Sequence, residues 1–373
     1  MSVPGTEKTA AQQANGQPVP DSDDDILVRV EHVKKYFPIK SVGFTRRTVG
    51  KVHAVDDVSL TIPRGRTLGL VGETGCGKST LARCVAGLIP VTSGTITFEG
   101  RKISGLSRRE MQPFRREIQM IFQDPYGSLN PRQRVGSIIG EPFAIHNLAS
   151  GSDRKKRVQE LMERVGLNPE HFNRFPAEFS GGQRQRIGVA RALAVRPKLI
   201  ICDEPVSALD VSIQAQVLNL LADLQDEFGL SYLFIAHDLE VVRHVSHAVS
   251  VMYLGRIGEA GPKDPVYEHP RHPYTAALLS AAPAADPETA AQRQRIILVG
   301  DVPSPIDPPS GCRFHPRCPK AQDLCQHEDP PLEVKLGDPD NHQAACHFPV
   351  QDGEKLVSLG SAAASVAGSK ESA

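Results

Sequence analysis

The chain has 373 residues, which is enough for one large domain or two modest ones that each bury a core. The 43 Lys and Arg residues balance 43 Asp and Glu residues, whereas a protein that binds duplex DNA usually carries a basic surplus, so nucleic acid is disfavoured as a partner. No stretch approaches the roughly 18 consecutive apolar residues that cross a bilayer, so any role at a membrane is predicted to be peripheral.

Residues 1–25 are polar and rich in Ala, Gln and Pro, and they lack the basic-then-apolar pattern of a signal peptide. We expect a disordered leader of a cytoplasmic protein. Residues 26–261 alternate short β-branched runs with longer helical patterns, as in an α/β domain built on a largely parallel sheet. Residues 262–350 are predicted to form a C-terminal extension, and residues 351–373 a disordered tail.

Three continuous apolar runs are each followed directly by polar residues. Residues 67–71 lead into a Gly-rich loop, 199–202 into Asp203 and Glu204, and 232–236 into His237. Such runs suit strands that are buried on both faces, and ligands of open α/β sheets bind beyond the carboxyl ends of these strands. One site is therefore predicted to collect all three sets.

The Gly-rich loop reads Gly-Glu-Thr-Gly-Cys-Gly-Lys-Ser over residues 72–79 and precedes a helix predicted to start near Thr80, the arrangement of a phosphate-binding P-loop. Its glycines let backbone N–H groups face the phosphates, and the helix N-terminus adds partial positive charge. An accidental Gly-rich turn is the weaker interpretation. The predicted nucleotide-binding residues here are Gly72, Glu73, Thr74, Gly75, Cys76, Gly77, Lys78, Ser79 and Thr80, with Lys78 reaching the β- and γ-phosphates and Ser79 binding Mg²⁺.

The acidic pair and the histidine complete a hydrolytic site. Asp203 ends a buried strand, where a carboxylate is costly unless it meets a cation, so we expect it to bind Mg²⁺ through water. Glu204 is placed to act as general base on the attacking water. His237 is predicted to hydrogen-bond the γ-phosphate and that water, although a lone His after a strand is more often structural.

A second anion-binding loop, Ser180-Gly181-Gly182-Gln183, stands at the start of an apolar-periodic helix. A simply capped helix is the alternative. Two phosphate-binding loops in a chain that binds one nucleotide predict a head-to-tail dimer, in which the Ser180 loop covers the γ-phosphate held by the P-loop of the other subunit.

This set of motifs resembles the ATP-binding subunits of ABC transporters, with Phe179 where Leu is usual before Ser180. The resemblance implies a P-loop NTPase fold of the ABC ATPase type, with an α-helical subdomain at about 125–179 and a small C-terminal extension that contains cysteines. It also implies that Gln123 takes part in catalysis and senses Mg²⁺ and the membrane subunits, that Tyr36 stacks on adenine, and that Asp210 belongs to a loop that communicates across the dimer.

Four segments resemble the peptide importers among these transporters: the long loop 123–132 and the stretches 272–275, 302–305 and 309–319. An insertion after Tyr36 is similar to the second of their two ATPase subunits. The resemblance implies uptake of di- or oligopeptides, with nickel or another small solute as the alternative. It further implies a paralogous ATPase partner, two transmembrane permease subunits, an extracytoplasmic substrate-binding protein, and a peripheral position on the cytoplasmic face of the membrane.

Four of the seven cysteines, Cys312, Cys318, Cys325 and Cys346, cluster near the C-terminus. In a reducing compartment, such a cluster predicts metal before disulfides. Zinc sites usually contain Cys pairs two to four residues apart, and none occurs here, so a [4Fe–4S] cluster is favoured over Zn²⁺. A metal-free structural role also stays open, and a nearby histidine could replace one thiolate in a zinc site: His315, His342 or His347.

A nucleic-acid-associated ABC ATPase is the rival from another class. Such proteins generally interrupt the ATPase with long coiled coils, but here the span from Gln123 to Ser180 is short and lacks heptads. Translation-associated relatives would carry two ATPase cores, and this sequence has one.

Overall fold

The computed structural model describes residues 25–41, 47–124, 127–282, 295–338 and 341–356. The predicted leader before Asp25, the predicted tail beyond residue 356, and Pro125 and Tyr126 of the long loop lie outside the described residues.

The described chain contains strands and helices that we number in order. The strands are β1 (Ile26–Lys40), β2 (Thr48–Pro63), β3 (Thr67–Val71), β4 (Ser93–Phe98), β5 (Arg101–Lys102), β6 (Ile118–Ile121), β7 (Leu199–Asp203), β8 (Ser231–Ala236), β9 (Ala248–Tyr253), β10 (Arg256–Pro262), β11 (Glu333–Val334) and β12 (Gln343–Ala344). The helices are α1 (Lys78–Val85), α2 (Phe114–Glu117), α3 (Val135–Ile145), α4 (Gly151–Arg164), α5 (Gly181–Leu193), α6 (Val211–Phe228), α7 (Leu239–Val245), α8 (Lys263–Glu268), α9 (Pro273–Ala281) and α10 (Asp323–His327).

The strands form two sheets. The smaller sheet is antiparallel in the order β2-β1-β4-β5, and its β1–β2 hairpin pairs Tyr36 with His53. The larger sheet has the order β11-β12-β10-β9-β3-β8-β7-β6, in which β9, β3, β8, β7 and β6 run parallel. Because parallel strands end at the same side of a sheet, the residues that follow β3, β7, β8 and β6 come together.

Successive residues of the central strands enter two different hydrophobic cores. Leu70 packs in one core and its neighbour Val71 in the other, and Ile201 and Cys202 divide in the same way. This follows from the two-residue period of a strand, which points neighbouring side chains to opposite faces. Burial on both faces explains why these strands read as unbroken apolar runs rather than alternating ones.

Helices α3, α4 and α5 lie within and just after the predicted helical subdomain. They contribute Ile138, Phe143, Val158, Met162 and Ile187 to the same core as Val71, and each of these residues is buried. No helix in the described part of the chain is long and apolar enough to cross a membrane.

The C-terminal segment joins the sheet instead of standing apart from it. Strand β12 pairs with β10 through Glu259 and Ala260, and β11 pairs with β12. Tyr274 and Phe314 are fully buried in the core that also holds Val71. The predicted boundary at residue 261 falls inside β10, so the predicted extension and the predicted ATPase domain share one core.

Candidate active site

The Gly-rich loop connects β3 to α1, and its lysine is held inside it. Nζ of Lys78 donates hydrogen bonds to the carbonyl oxygens of Gly72 at 2.6 Å and Glu73 at 3.0 Å. The loop therefore curls around the buried ammonium group of its own lysine. Gly77 has a φ of 113°, and a Cβ there would lie 2.0 Å from the Ala54 carbonyl oxygen. Only glycine fits this position.

The strand-end carboxylate lies beside the start of α1. Oγ of Ser79 donates a hydrogen bond of 2.7 Å to Oδ1 of Asp203, whose residue is 2% exposed. Burial raises the pKa of Asp203, and the hydrogen bond from Ser79 opposes that rise. A hydroxyl and a carboxylate oxygen side by side are the donor types that Mg²⁺ prefers, so these two residues fit the predicted ion.

The three predicted catalytic residues meet at one oxygen. Oε2 of Glu204 lies 3.0 Å from Nε2 of Gln123 and 3.1 Å from Nδ1 of His237. Glu204 has a φ of 49°, in the left-handed region that non-glycine residues rarely occupy. Such strain concentrates at functional sites, where the surrounding structure holds it in place. The catalytic roles of the three residues stay predictions.

The second loop caps α5 as a capping box. Oγ of Ser180 accepts from the backbone N–H of Gln183, and the Gln183 side chain accepts from the backbone N–H of Ser180. Ser180 and Gln183 are exposed, Gly181 is half-buried and Gly182 is buried. Asp210 is exposed at the start of α6. The pairing of this loop with the P-loop of another subunit stays a prediction.

Tyr36 lies on β1, opposite His53, with the two ring centroids 4.3 Å apart. Its hydroxyl donates to Asp56, a buried carboxylate that also accepts from Arg313 and Arg256. Burial and the bond to Asp56 raise the pKa of Tyr36 to about 12. The backbone of Ala54, the neighbour of His53, lies against Gly77 of the P-loop. Tyr36, which pairs with His53, is therefore near the P-loop.

The four C-terminal cysteines line one small cavity, together with His315 and His347. Burial raises the pKa of Cys318 and Cys346 to about 12, and it also raises the pKa of Cys312 above its ordinary value. The predicted metal site is not confirmed, because no group of three or more His, Cys, Asp or Glu side chains within the described residues is arranged to hold a metal ion. His342 lies elsewhere, buried against Glu259.

The structure also brings residues to the site that sequence reasoning missed. Arg317 forms an ion pair with Glu73 of the P-loop, and Arg313 reaches Asp56 beneath Tyr36. Both arginines lie between Cys312 and Cys318, in a segment whose sequence indicates metal binding and a resemblance to the peptide importers but not a role in the nucleotide site. The sequence carried no local signal for these contacts, which join residues more than 240 positions apart.

A P-loop between a strand and a helix, an acidic pair ending a neighbouring strand, and a capped Ser-Gly-Gly loop define an ATPase of the ABC class. The family model for ABC transporters matches residues 55–207, and the model for the C-terminal region of oligopeptide/dipeptide transporters matches residues 259–325. The ATP-binding cassette MJ0796, solved as a post-hydrolysis dimer bound to ADP and Pi, aligns with a TM-score of 0.56 at 28% identity, covering 64% of this chain and 99% of the cassette.

Relatives extend the match along most of the chain. It is 53% identical to the oligopeptide transport ATP-binding protein AppF of Bacillus subtilis over 88% of this chain and 98% of the relative. It is 50% identical to the di/tripeptide transport ATP-binding protein DppF of Pseudomonas aeruginosa over 81% of this chain and 91% of the relative. The chain belongs to the family of ATP-binding proteins of oligopeptide and dipeptide ABC transporters, and it is an ATPase that uses ATP with Mg²⁺.

Proposed function

We propose that this chain hydrolyses ATP as one half of a head-to-tail ATPase pair and thereby drives uptake of di- or oligopeptides through a membrane transporter. The observation that carries the proposal is the meeting of Gln123, Glu204 and His237 at one carboxylate oxygen, next to the buried Ser79–Asp203 pair. The relatives' names, which refer to oligopeptides and di/tripeptides, support the choice of peptide as the transported solute. Nickel or another small solute is the alternative.

In the proposed mechanism the loop 72–80 receives the triphosphate through its backbone N–H groups, and Lys78 exchanges its carbonyl partners for phosphate oxygens. Ser79, Asp203 and Gln123 would hold Mg²⁺, which supplies neutralisation of phosphate charge. Glu204 accepts a proton from the attacking water as that water approaches the γ-phosphorus. His237, bonded to the same carboxylate oxygen, orients Glu204 and donates toward the γ-phosphate.

The remaining predicted contacts come from the dimer and from the smaller sheet. Ser180, Gly181 and Gly182 of one subunit would close over the γ-phosphate held by the other, using the Ser180 hydroxyl and the backbone N–H groups of the two glycines at the start of α5. Asp210 would report this closure across the interface. Tyr36 would stack on adenine from β1.

Within a transporter, we infer that the partners are a paralogous ATPase, two transmembrane permease subunits and an extracytoplasmic substrate-binding protein. The helical subdomain, at about 125–179, would receive the permeases, so that this chain sits peripherally on the cytoplasmic face of the membrane. The ATPase domain would then span 26–261 and the extension 262–350.

For the four cysteines we propose a [4Fe–4S] cluster with a structural role, with Zn²⁺ as the alternative. All four cysteines line one small cavity, and four thiolates are the ligand number that either group takes. Zn²⁺ needs its ligand atoms at ~2.0–2.3 Å from a single centre, whereas a cluster spreads its thiolates over several iron atoms. The cluster is favoured because the four cysteines lack the closely spaced pairs that zinc sites usually contain. Iron, sulfide and zinc analysis of protein purified without oxygen decides between them.

The proposed function is tested by reconstituting the chain with its partners in liposomes and measuring ATP hydrolysis as di- and tripeptides, or nickel, are added with the binding protein. We expect stimulation by peptide and none by nickel. Glu204→Gln is the matched control, because it keeps the shape of the site and removes its base. Stimulation by nickel alone would identify the alternative solute, and hydrolysis that responds to neither would refute transport of both.

A further inference from the structure

The cysteine-bearing segment places one arginine directly on the P-loop. Nη1 of Arg317 lies 2.8 Å from Oε2 of Glu73, and Nη2 lies 3.1 Å from Oε1, which makes a bidentate pair. Arg317 is 7% exposed. Planar two-point pairing of this kind fixes both the charge and the orientation of a carboxylate.

Glu73 is also held through its backbone. Its N–H donates a 2.8 Å hydrogen bond to Oη of Tyr274, and its carbonyl oxygen accepts from Lys78. The second residue of the loop is therefore fixed at three points: the side chain by Arg317, the N–H by Tyr274 and the carbonyl by the P-loop lysine.

Arg317 packs against a cluster of aromatic side chains. The rings of Tyr253, Tyr274 and Phe314 pack with centroids 4.7 to 5.3 Å apart. The guanidinium carbon of Arg317 lies 5.9 Å from the Tyr253 ring centroid, and Nη1 lies 3.4 Å from its hydroxyl. Few alternative rotamers are open to an arginine enclosed in this way.

The negative charge of Glu73 disfavours binding of a triphosphate by the P-loop. A carboxylate on a phosphate-binding loop repels the triphosphate, and partial burial weakens the screening of that repulsion by water. A guanidinium stays protonated at any working pH and can neutralise Glu73 permanently. The pair thus converts an anionic side chain into a neutral, fixed part of the nucleotide site.

We propose that Arg317 is a positioning residue of the ATPase reaction, which neutralises and orients Glu73 so that the P-loop accepts ATP. The proposal rests on the assignment of residues 72–80 as the ATP site. It ties the C-terminal segment to nucleotide affinity and assigns no contact between Arg317 and the nucleotide itself.

The experiment compares Arg317→Ala, Glu73→Gln and the double variant in the full chain assembled with its partners. We expect Arg317→Ala to raise the KM for ATP by about ten-fold while kcat changes by less than about two-fold, because lost ground-state binding raises KM alone. Glu73→Gln removes the carboxylate charge but keeps one bond to Arg317, and its KM is the value with which the double variant is compared. The double variant should return to about that value, since it contains no uncompensated carboxylate.

Arg271→Ala is the matched control. Arg271 is a buried arginine of the same extension, but it pairs with Asp338 and Asp352 rather than with the P-loop. Arg271→Ala should lower the melting temperature. If it also changes the KM for ATP, adding Glu73→Gln should not restore the wild-type KM. Should Arg317→Ala fail to fold, Arg317→Gln with and without Glu73→Gln makes the same comparison.

A double variant as weak for ATP as Arg317→Ala would overturn the proposal, and so would kcat and KM changes that simply follow the melting temperature. The proposed function fails in a different way, because ATP hydrolysis by the wild-type assembly would then not respond to peptide.

Discussion

Ser79 and Asp203, 124 residues apart in the chain, share a hydrogen bond of 2.7 Å. Ser79 belongs to the first turn of α1 and Asp203 ends β7, so this bond joins the two sides of the nucleotide site. Burial raises the pKa of Asp203, which means that its ionised form is disfavoured until a cation arrives.

This raised pKa sets the effect of pH on Asp203→Asn. A folded-state pKa above the ordinary value of 3.8 means that the native state holds the proton more tightly, so stability falls as pH rises from 3.8 through the folded pKa. In protein free of nucleotide and Mg²⁺, we expect Asp203→Asn to gain on the order of 1–2 kcal/mol at neutral pH and ~2–4 °C in Tm, and to lose hydrolysis. Thermal unfolding in chelator over a pH series measures the gain. A lower Tm for the variant at neutral pH would contradict the account.

Glu204→Gln separates binding from chemistry. The amide keeps the size of the side chain but cannot accept a proton, so we expect hydrolysis to fall by at least ~100-fold while ATP still binds. Phosphate release and equilibrium ATP binding measure the two effects. Glu240→Gln, on the neighbouring helix α7, is the matched control and should change neither. Intact turnover in Glu204→Gln would show that another group is the base.

Ser180→Ala removes an N-cap and a proposed phosphate contact at once. The cap is worth about 1 kcal/mol of stability. Asn168→Ala removes a comparable cap, since its side chain accepts from the backbone N–H of Glu170 at 2.9 Å, and it is the control. In a Glu204→Gln background with the natural partner, we expect only Ser180→Ala to weaken ATP-driven pairing, as measured by size-exclusion chromatography. If ATP-driven pairing were equal in both variants, the Ser180 loop would not be part of the subunit interface.

The buried side chain of His272 is expected to make the stability of the protein sensitive to acid. It is 4% exposed, and burial lowers its pKa to about 4 while the charge of Glu259 partly opposes that shift. Because the unfolded chain takes up the proton first, stability is lost as pH falls from 6.5 toward 4, by on the order of 2–3 kcal/mol. His272→Asn keeps an acceptor for the backbone N–H of Tyr274 and should flatten the dependence of the unfolding free energy on pH over that range.

Denaturant titrations between pH 4 and 7 provide the slopes. His327→Asn, at an exposed histidine on α10, serves as the control and should leave the slope unchanged. An unaltered slope in His272→Asn would mean that other groups govern the acid sensitivity.

The central strands could be predicted from sequence because their signal is local. The run 67–71 coincides with β3, and the predicted runs beginning at 199 and 232 match β7 and β8 to within one residue at either end. The polar residues directly after those runs meet, as parallel strands require. The family resemblance and the ABC-type fold are confirmed.

The contacts of the extension could not be predicted in this way. No residue near Arg317 in the sequence indicates that it pairs with Glu73. Tyr274 belongs to the stretch 272–275, whose resemblance to the peptide importers does not predict a contact with the P-loop. Such pairs are set by how β10, β12 and the segment 312–318 pack against the P-loop, and that packing depends on the whole fold. The described residues of the insertion after Tyr36, 37–41 and 47–55, likewise extend the antiparallel pairing of β1 with β2, which composition alone did not indicate.

Strands β12 and β11 occupy the hydrogen-bonding side of β10 that faces away from β9. Without them β10 would present unpaired N–H and C=O groups, a template on which other chains can polymerise. By covering this edge of β10, the short strands β11 and β12 are expected to limit self-association. A chain cut before Glu333 should be prone to aggregate even if its catalytic groups were intact, so affinity tags or fusions belong after these strands and never in place of them.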